Sequence, residues 1–164
     1  MIQLKRVPVI FREADHTYWF GDKRLFGTSH LYGNHINPSK YSGIKQSVLE
    51  AAAKRGTLVH EQCEEYDRFG IISGDEADNW AKMRVMNEIA ILENEYLISD
   101  LEYFATKIDK VMWVGEPSEF VVDLGDVKTT SELDKEALSW QLSVSAYLFE
   151  QQNPDVKVRN LYGI

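Results

Sequence analysis

Past Leu101 the chain reads as three strand-like segments, LEYFAT, KIDKVMWV and FVVDLGDVKT, then one helical segment, SELDKEALSWQLSVSAYLFEQQ, then a last strand-like segment, VKVRNLYGI. No other part of the sequence restricts the fold as much. Gly115-Glu116-Pro117-Ser118 joins the second and third segments and favours a tight reversal, so the three strands are expected to form an antiparallel meander. Leu138, Leu142, Ala146 and Phe149 recur at helical spacing, and Asn153-Pro154 stops the helix because proline cannot continue it. A helix between two strands can cross over the sheet, which lets the last strand lie parallel to one strand of the meander. The pattern predicts an α/β fold with a mixed β-sheet flanked by helices.

Before Leu101, HTYWFGDKRLFG alternates bulky and polar residues around Gly21-Asp22 and predicts an N-terminal β-hairpin packed beside the core. Asn37-Pro38-Ser39 and Ser42-Gly43 mark a loop. Ile44, Val48, Ala51 and Ala52 keep helical spacing on one side of Gly56-Thr57, and Leu58, Val59, Cys63 and Tyr66 keep it on the other. Two consecutive helices are predicted, with Thr57 capping the second. A third helix is predicted from Asp75 to about Glu95, its apolar side carrying Trp80, Ile89, Leu92 and Tyr96. A chain of 164 residues fits one domain, divided into a hairpin and loop over residues 1–42 and a helical region and core over residues 43–164.

The net charge of −8 argues against a protein that coats nucleic acid through bulk electrostatics, but the charge is uneven. Residues 1–60 carry nine Lys/Arg against four Asp/Glu, and residues 61–164 carry nine against twenty-two. With Cys63 as the single cysteine, one chain has no internal disulfide, no four-cysteine zinc site and no cysteine-bound iron–sulfur cluster. No stretch approaches the ~20 apolar residues of a membrane span, and the N-terminus is too short and interrupted for a signal peptide. A cytoplasmic protein with no membrane partner is expected.

Asp126-Val127-Lys128 ends a strand-like segment, so strand alternation puts Asp126 and Lys128 on one face and Val127 on the other. Asp109 interrupts the run from Ile108 to Val114, where a charge is costly unless paired or bound to a cation. Two ionised carboxylates about 4 Å apart repel by ~4 kcal/mol at an effective dielectric near 20, and a divalent cation reverses that sign. Hard oxygen ligands suit Mg²⁺ or Mn²⁺. Taken singly, Asp126 and Lys128 read equally as a surface ion pair and Asp109 as a solvent-facing strand end. Asp123 is a rival carboxylate, turned to the other face by its odd spacing from Asp126.

Several motifs in order resemble the PD-(D/E)xK nuclease superfamily, in its RecB-like and phage-exonuclease branch. They are Gly56, His60 and Glu64 on a helix; Ile108-Asp109 in a strand; Asp126-Val127-Lys128-Thr129 at the end of the next; and Gln141 with Tyr147 on the following helix. HTYWFGDKRLFGTSH and KYSG are similar to the opening of phage members. The resemblance implies a restriction-endonuclease-like core and a metal-dependent deoxyribonuclease, most simply an exonuclease of phage or prophage recombination in a bacterial cytoplasm. It implies His60, Asp109, Asp126 and the Val127 carbonyl as ligands of Mg²⁺ or Mn²⁺, with no iron–sulfur cluster. Lys128 would orient or deprotonate the attacking water. Gln141 and Tyr147 would line the same cleft, and Glu64 would support His60 from outside the ligand set.

DNA is the implied partner, with a single-strand annealing recombinase and a second copy of the chain as further candidates. Lys40, Lys45, Lys54 and Arg55 form a candidate phosphate-contact surface, or equally a solvated helix face. His16, His30 and His35 have no ligand-like partners at useful spacing. The competing reading is a nuclease fold that is inactive or truncated and acts in nucleic-acid binding or protein interaction.

Overall fold

The computed structural model describes residues 2–130 and 133–164. Strands β1 (Ile10–Arg12), β2 (Thr17–Phe20) and β3 (Lys23–Gly27) lead into a short helix, α1 (Thr28–Leu31), and a π-helical turn over Tyr32–Ile36. Then come helices α2 (Gln46–Phe69) and α3 (Asp75–Met86), strands β4 (Ile89–Ser99), β5 (Phe104–Val114) and β6 (Val121–Asp126), helix α4 (Lys135–Gln152) and strand β7 (Lys157–Gly163). The result is an α/β protein with a mixed seven-stranded sheet.

The strand–strand–strand–helix–strand order is as expected, with β6 antiparallel to β5 and β7 parallel to β6 across the α4 crossover. Asn153 ends α4 before Pro154. Ser131 and Glu132, the first residues of the helical segment as read from sequence, lie outside the described residues. The hairpin turns at Gly21-Asp22, pairing Phe20 with Lys23. It joins the sheet itself, because Phe26 and Gly27 pair in parallel with Phe104 and Ala105 of β5.

Three boundaries differ from the sequence reading. The first meander strand is residues 89–99, read above as the end of a helix, and LEYFAT supplies only the start of β5. The apolar residues of 89–98 satisfy helical and strand periods alike; pairing from Ile89 opposite Val114 to Ser99 opposite Ala105 selects the strand. Residues 46–69 form one helix rather than two. Thr57 sits inside it and donates its hydroxyl back to the Ala53 carbonyl at 3.2 Å, so it caps nothing. The helix ends at Gly70, whose φ of 70° suits glycine and whose N–H reaches the Tyr66 carbonyl.

Helices cover both faces of the sheet. On one face, Leu148 and Phe149 of α4 pack on Tyr96, Ile98, Ile108, Val111, Val122 and Leu124. On the other, Val59 and Cys63 of α2 and Trp80 of α3 pack on Met112 and Val127. Two features of β5 place the site between these layers. One edge pairs with β4 along its length, while β3 takes the start of the other edge, at 104–105, and β6 its end, at 110–112. Residues 106–109 lie in the fork. Residues two apart on a strand normally share a face, yet Ile108 packs toward α4 while Lys110 reaches Asp67 of α2. The switch falls at Asp109, opposite Glu95, whose φ of 50° is left-handed and re-aims its side chain.

Candidate metal centre

The register of the sheet assembles the acidic residues. Lys110 opposes Asn94 of β4 on one edge of β5 and Gly125 of β6 on the other. One step along, the same offsets align Glu95, Asp109 and Asp126 across three neighbouring strands. Like charges directly opposed destabilise a sheet, so this row needs compensation.

His60 enters from α2. Its Nε2 lies 3.1 Å from the Val127 carbonyl and 3.7 Å from Asp109 Oδ2, while its Nδ1 lies 3.5 Å from Glu95 Oε1. His60, Glu95 and Asp109 can each offer an atom within 4.8 Å of the others. Asp109 Oδ2 also accepts the Val127 N–H at 2.7 Å. Lys107, two residues before Asp109, holds Glu95 Oε2 at 2.6 Å. His60 and Asp109 thus lie close together at the fork of β5.

Asp126, Lys128 and Gln141 form the adjoining group. Lys128 Nζ is 2.5 Å from Asp126 Oδ2 and 3.3 Å from Gln141 Oε1, and Gln141 Nε2 donates to Asp126 Oδ1 at 2.6 Å. The lysine's approach satisfies distance but not hydrogen-bond direction, so the buried Asp126 Oδ2 is left without a hydrogen bond. Val127 points the other way into the α2–α3 layer, as strand alternation predicts. The peptide beyond β6 is pinned by Lys128 N–H to the Ile164 carbonyl at 2.8 Å and Ile164 N–H to the Asp126 carbonyl at 2.9 Å.

The electrostatics match this crowding. Burial, then the Asp126 charge and that of Glu95, push the Asp109 carboxyl up to about 7 against the opposing pull of His60. Burial works against ionisation of Glu95, but His60 and Lys107 outweigh it and hold that carboxyl at about 2. Burial likewise opposes a charged His60, and Glu95, Asp109 and the Val127 carbonyl together raise it above the ordinary histidine value. His60, Glu95 and Asp109 form a group that could hold a hard divalent cation, and Asp126 lies outside that group with its Oδ2 against Lys128 Nζ.

Other candidates lie elsewhere. Glu64 pairs with Arg68 at 2.5 Å, and the carboxylate that faces His60 is Glu95. Tyr147 is 65% exposed and lines an open groove with Glu150, Arg159 and Asn160 between α4 and β7. Six residues at 3.6 per turn leave it ~120° around α4 from Gln141, so the two do not share a cleft. Asp123 is buried on the opposite side; burial raises its carboxyl, but Arg159, the Val114 N–H and Asn160 outweigh this and hold it low. Lys40 pairs with Asp134 at 2.8 Å and Arg55 with Glu76 at 3.1 Å, while Lys45 precedes α2 and Lys54 is exposed on it.

Sequence reasoning missed Glu95 and a buried charge network behind it. Lys110, its side chain 3% exposed, reaches Asp67 Oδ2 and Asn94 Oδ1, both at 2.6 Å, and Asp67 also accepts from Arg84 at 2.7 Å and Trp80 at 2.8 Å. Asp67 is two turns after His60 on α2, so the network ties the histidine's helix to Asp109's strand. The available signal was a charge inside an apolar run at Lys110. Compared with protein-family models, curated proteins and solved structures, the chain matches none. Among the described residues no helix is long and apolar enough to cross a membrane.

Proposed function

We propose that this chain is a metal-dependent DNA nuclease of the PD-(D/E)xK type, with a restriction-endonuclease-like core, that hydrolyses phosphodiester bonds. The observation that carries the reading is the meeting of His60 with Asp109 at the fork of β5, next to the linked group of Asp126, Lys128 and Gln141. His60 Nε2, Asp109, Asp126 and the Val127 carbonyl are the groups that would hold Mg²⁺ or Mn²⁺. When bound, the cation would polarise the phosphate and offset charge developing on it. Lys128 Nζ, held by Asp126 and Gln141, would orient the attacking water and offset charge developing on the phosphate. Gln141 keeps the lysine and Asp126 in one arrangement by donating to one and accepting from the other. An exonuclease of phage or prophage recombination, working on linear ends, is the form the sequence resemblance favours.

The test incubates linear and circular DNA with the protein and Mg²⁺ or Mn²⁺, alongside Lys128→Ala. Metal-dependent loss of linear DNA only, abolished in the variant, supports an exonuclease; loss of circular DNA as well supports an endonuclease. No degradation of either substrate overturns the enzymatic reading.

A further inference from the structure

We propose that Glu95 is the positioning residue of His60: its carboxylate accepts a hydrogen bond from Nδ1–H and so turns Nε2 toward Asp109 and the cation. This rests on the metal-dependent reading above and concerns a residue outside its ligand set. Glu95, His60 and Asp109 lie close enough to be read as three ligands of one ion, but an imidazole offers a cation one lone pair. The two ring nitrogens face different partners. Nε2 faces Asp109 Oδ2 at 3.7 Å and the Val127 carbonyl at 3.1 Å, whereas Nδ1 faces Glu95 at 3.5 Å.

A cation placed between Nε2 and Asp109 therefore leaves Nδ1 protonated, and Glu95 is the acceptor in place for that proton. The other Glu95 oxygen is held by Lys107 at 2.6 Å, which fixes the carboxylate and offsets its charge, as suits an orienting group better than a ligand. The backbone supports the same assignment. Glu95 has a φ of 50° within β4, the strained conformation that turns its side chain to the α2 side. The order from strand to ion is then Lys107, Glu95, His60 Nδ1, His60 Nε2.

The experiment uses the full chain labelled with ¹⁵N, titrated with Mg²⁺ for the tautomer of His60 and with Mn²⁺, followed by electron paramagnetic resonance, for affinity. In the Mg²⁺-bound protein Nδ1 should carry the proton, shifted downfield. Glu95→Gln, which keeps a neutral acceptor, should move that proton upfield and weaken Mn²⁺ about tenfold, and Glu95→Ala about a hundredfold. A proton on Nε2 in the Mg²⁺-bound protein, or unchanged Mn²⁺ affinity in Glu95→Gln, overturns the proposal. So does a loss beyond a hundredfold with the Nδ1 proton unmoved, which makes Glu95 itself a ligand. Wild-type protein that binds neither cation overturns the metal-dependent reading, and that outcome is visible without any variant.

Discussion

Asp109→Asn removes the charge at the centre of the acidic row and should stabilise the metal-free protein. The Asp109 carboxyl rises from an ordinary 3.8 to about 7 through burial and the Asp126 charge. At 1.36 kcal/mol per unit this roughly three-unit shift sets a ceiling of about 4 kcal/mol on the cost of ionising it in the folded state. Its side chain is only 13% exposed, so solvent screening removes little of that. Asparagine retains an oxygen for the Val127 N–H but still has to be desolvated, so about half the ceiling, ~2 kcal/mol, should be recovered at pH 8, or about 4–8 °C in Tm.

The pH dependence follows from the signs. Asp109's folded value is raised, so its cost is absent near pH 4 and grows as pH climbs toward 7. His60's value is also raised, so its stabilisation is present below about 6.5 and lost as pH rises through the folded value. Glu95's is lowered, so its stabilisation is lost only as pH falls from about 4.5 toward 2. Metal-free wild type should thus lose stability steadily from pH 5 to 8, and Asp109→Asn should lose less. Thermal melts in EDTA and in Mn²⁺ across that range check this. A variant no more stable than wild type in EDTA at pH 8, or one that Mn²⁺ stabilises as much as wild type, refutes the reasoning.

Gln141→Leu leaves the buried Asp126 Oδ1 without its donor and should cost about 1–3 kcal/mol in denaturant unfolding, with lower cleavage at saturating DNA. Asp67→Ala strands Lys110 and Arg84 without their shared carboxylate and should cost about 3–5 kcal/mol, the price of an uncompensated buried charge, measured the same way. Gly56→Ala should raise stability by about 0.5–1 kcal/mol, because the added methyl meets only Thr129 Oγ1 at an ordinary 3.7 Å inside a continuous helix. Tyr147→Ala should leave the rate of DNA cleavage within about twofold of wild type, since that ring lines the α4–β7 groove and not the site; a loss matching that of Lys128→Ala would refute the placement.

Several parts of the site are legible in sequence because local geometry carries them. A period of two puts Asp126 and Lys128 on one face with Val127 opposed, whereas Gln141 entered only through the family resemblance and α4 brings it over them. Glu95 is illegible for a corresponding reason: Ile89, Leu92 and Tyr96 fit a helical face as well as a strand, and only pairing with β5 decides between them. Its left-handed backbone then breaks even the strand period that would have aimed it. Glu64 and Tyr147 entered through the resemblance, and their surroundings here, Arg68 and the β7 groove, are set by the neighbouring helical turn and by packing.

By itself the sequence determined an α/β fold with a mixed sheet, a helix crossing over before the last strand, and an aspartate and a lysine on one face at a strand end. Those depend on periodicities a few residues long. Only the tertiary structure decided that β3 and β6 share one edge of β5, that Glu95, Asp109 and Asp126 fall in one row, and that each nitrogen of His60 has its own carboxylate. Register between distant strands is fixed by how whole faces bury against α2 and α4, and no local spacing encodes it.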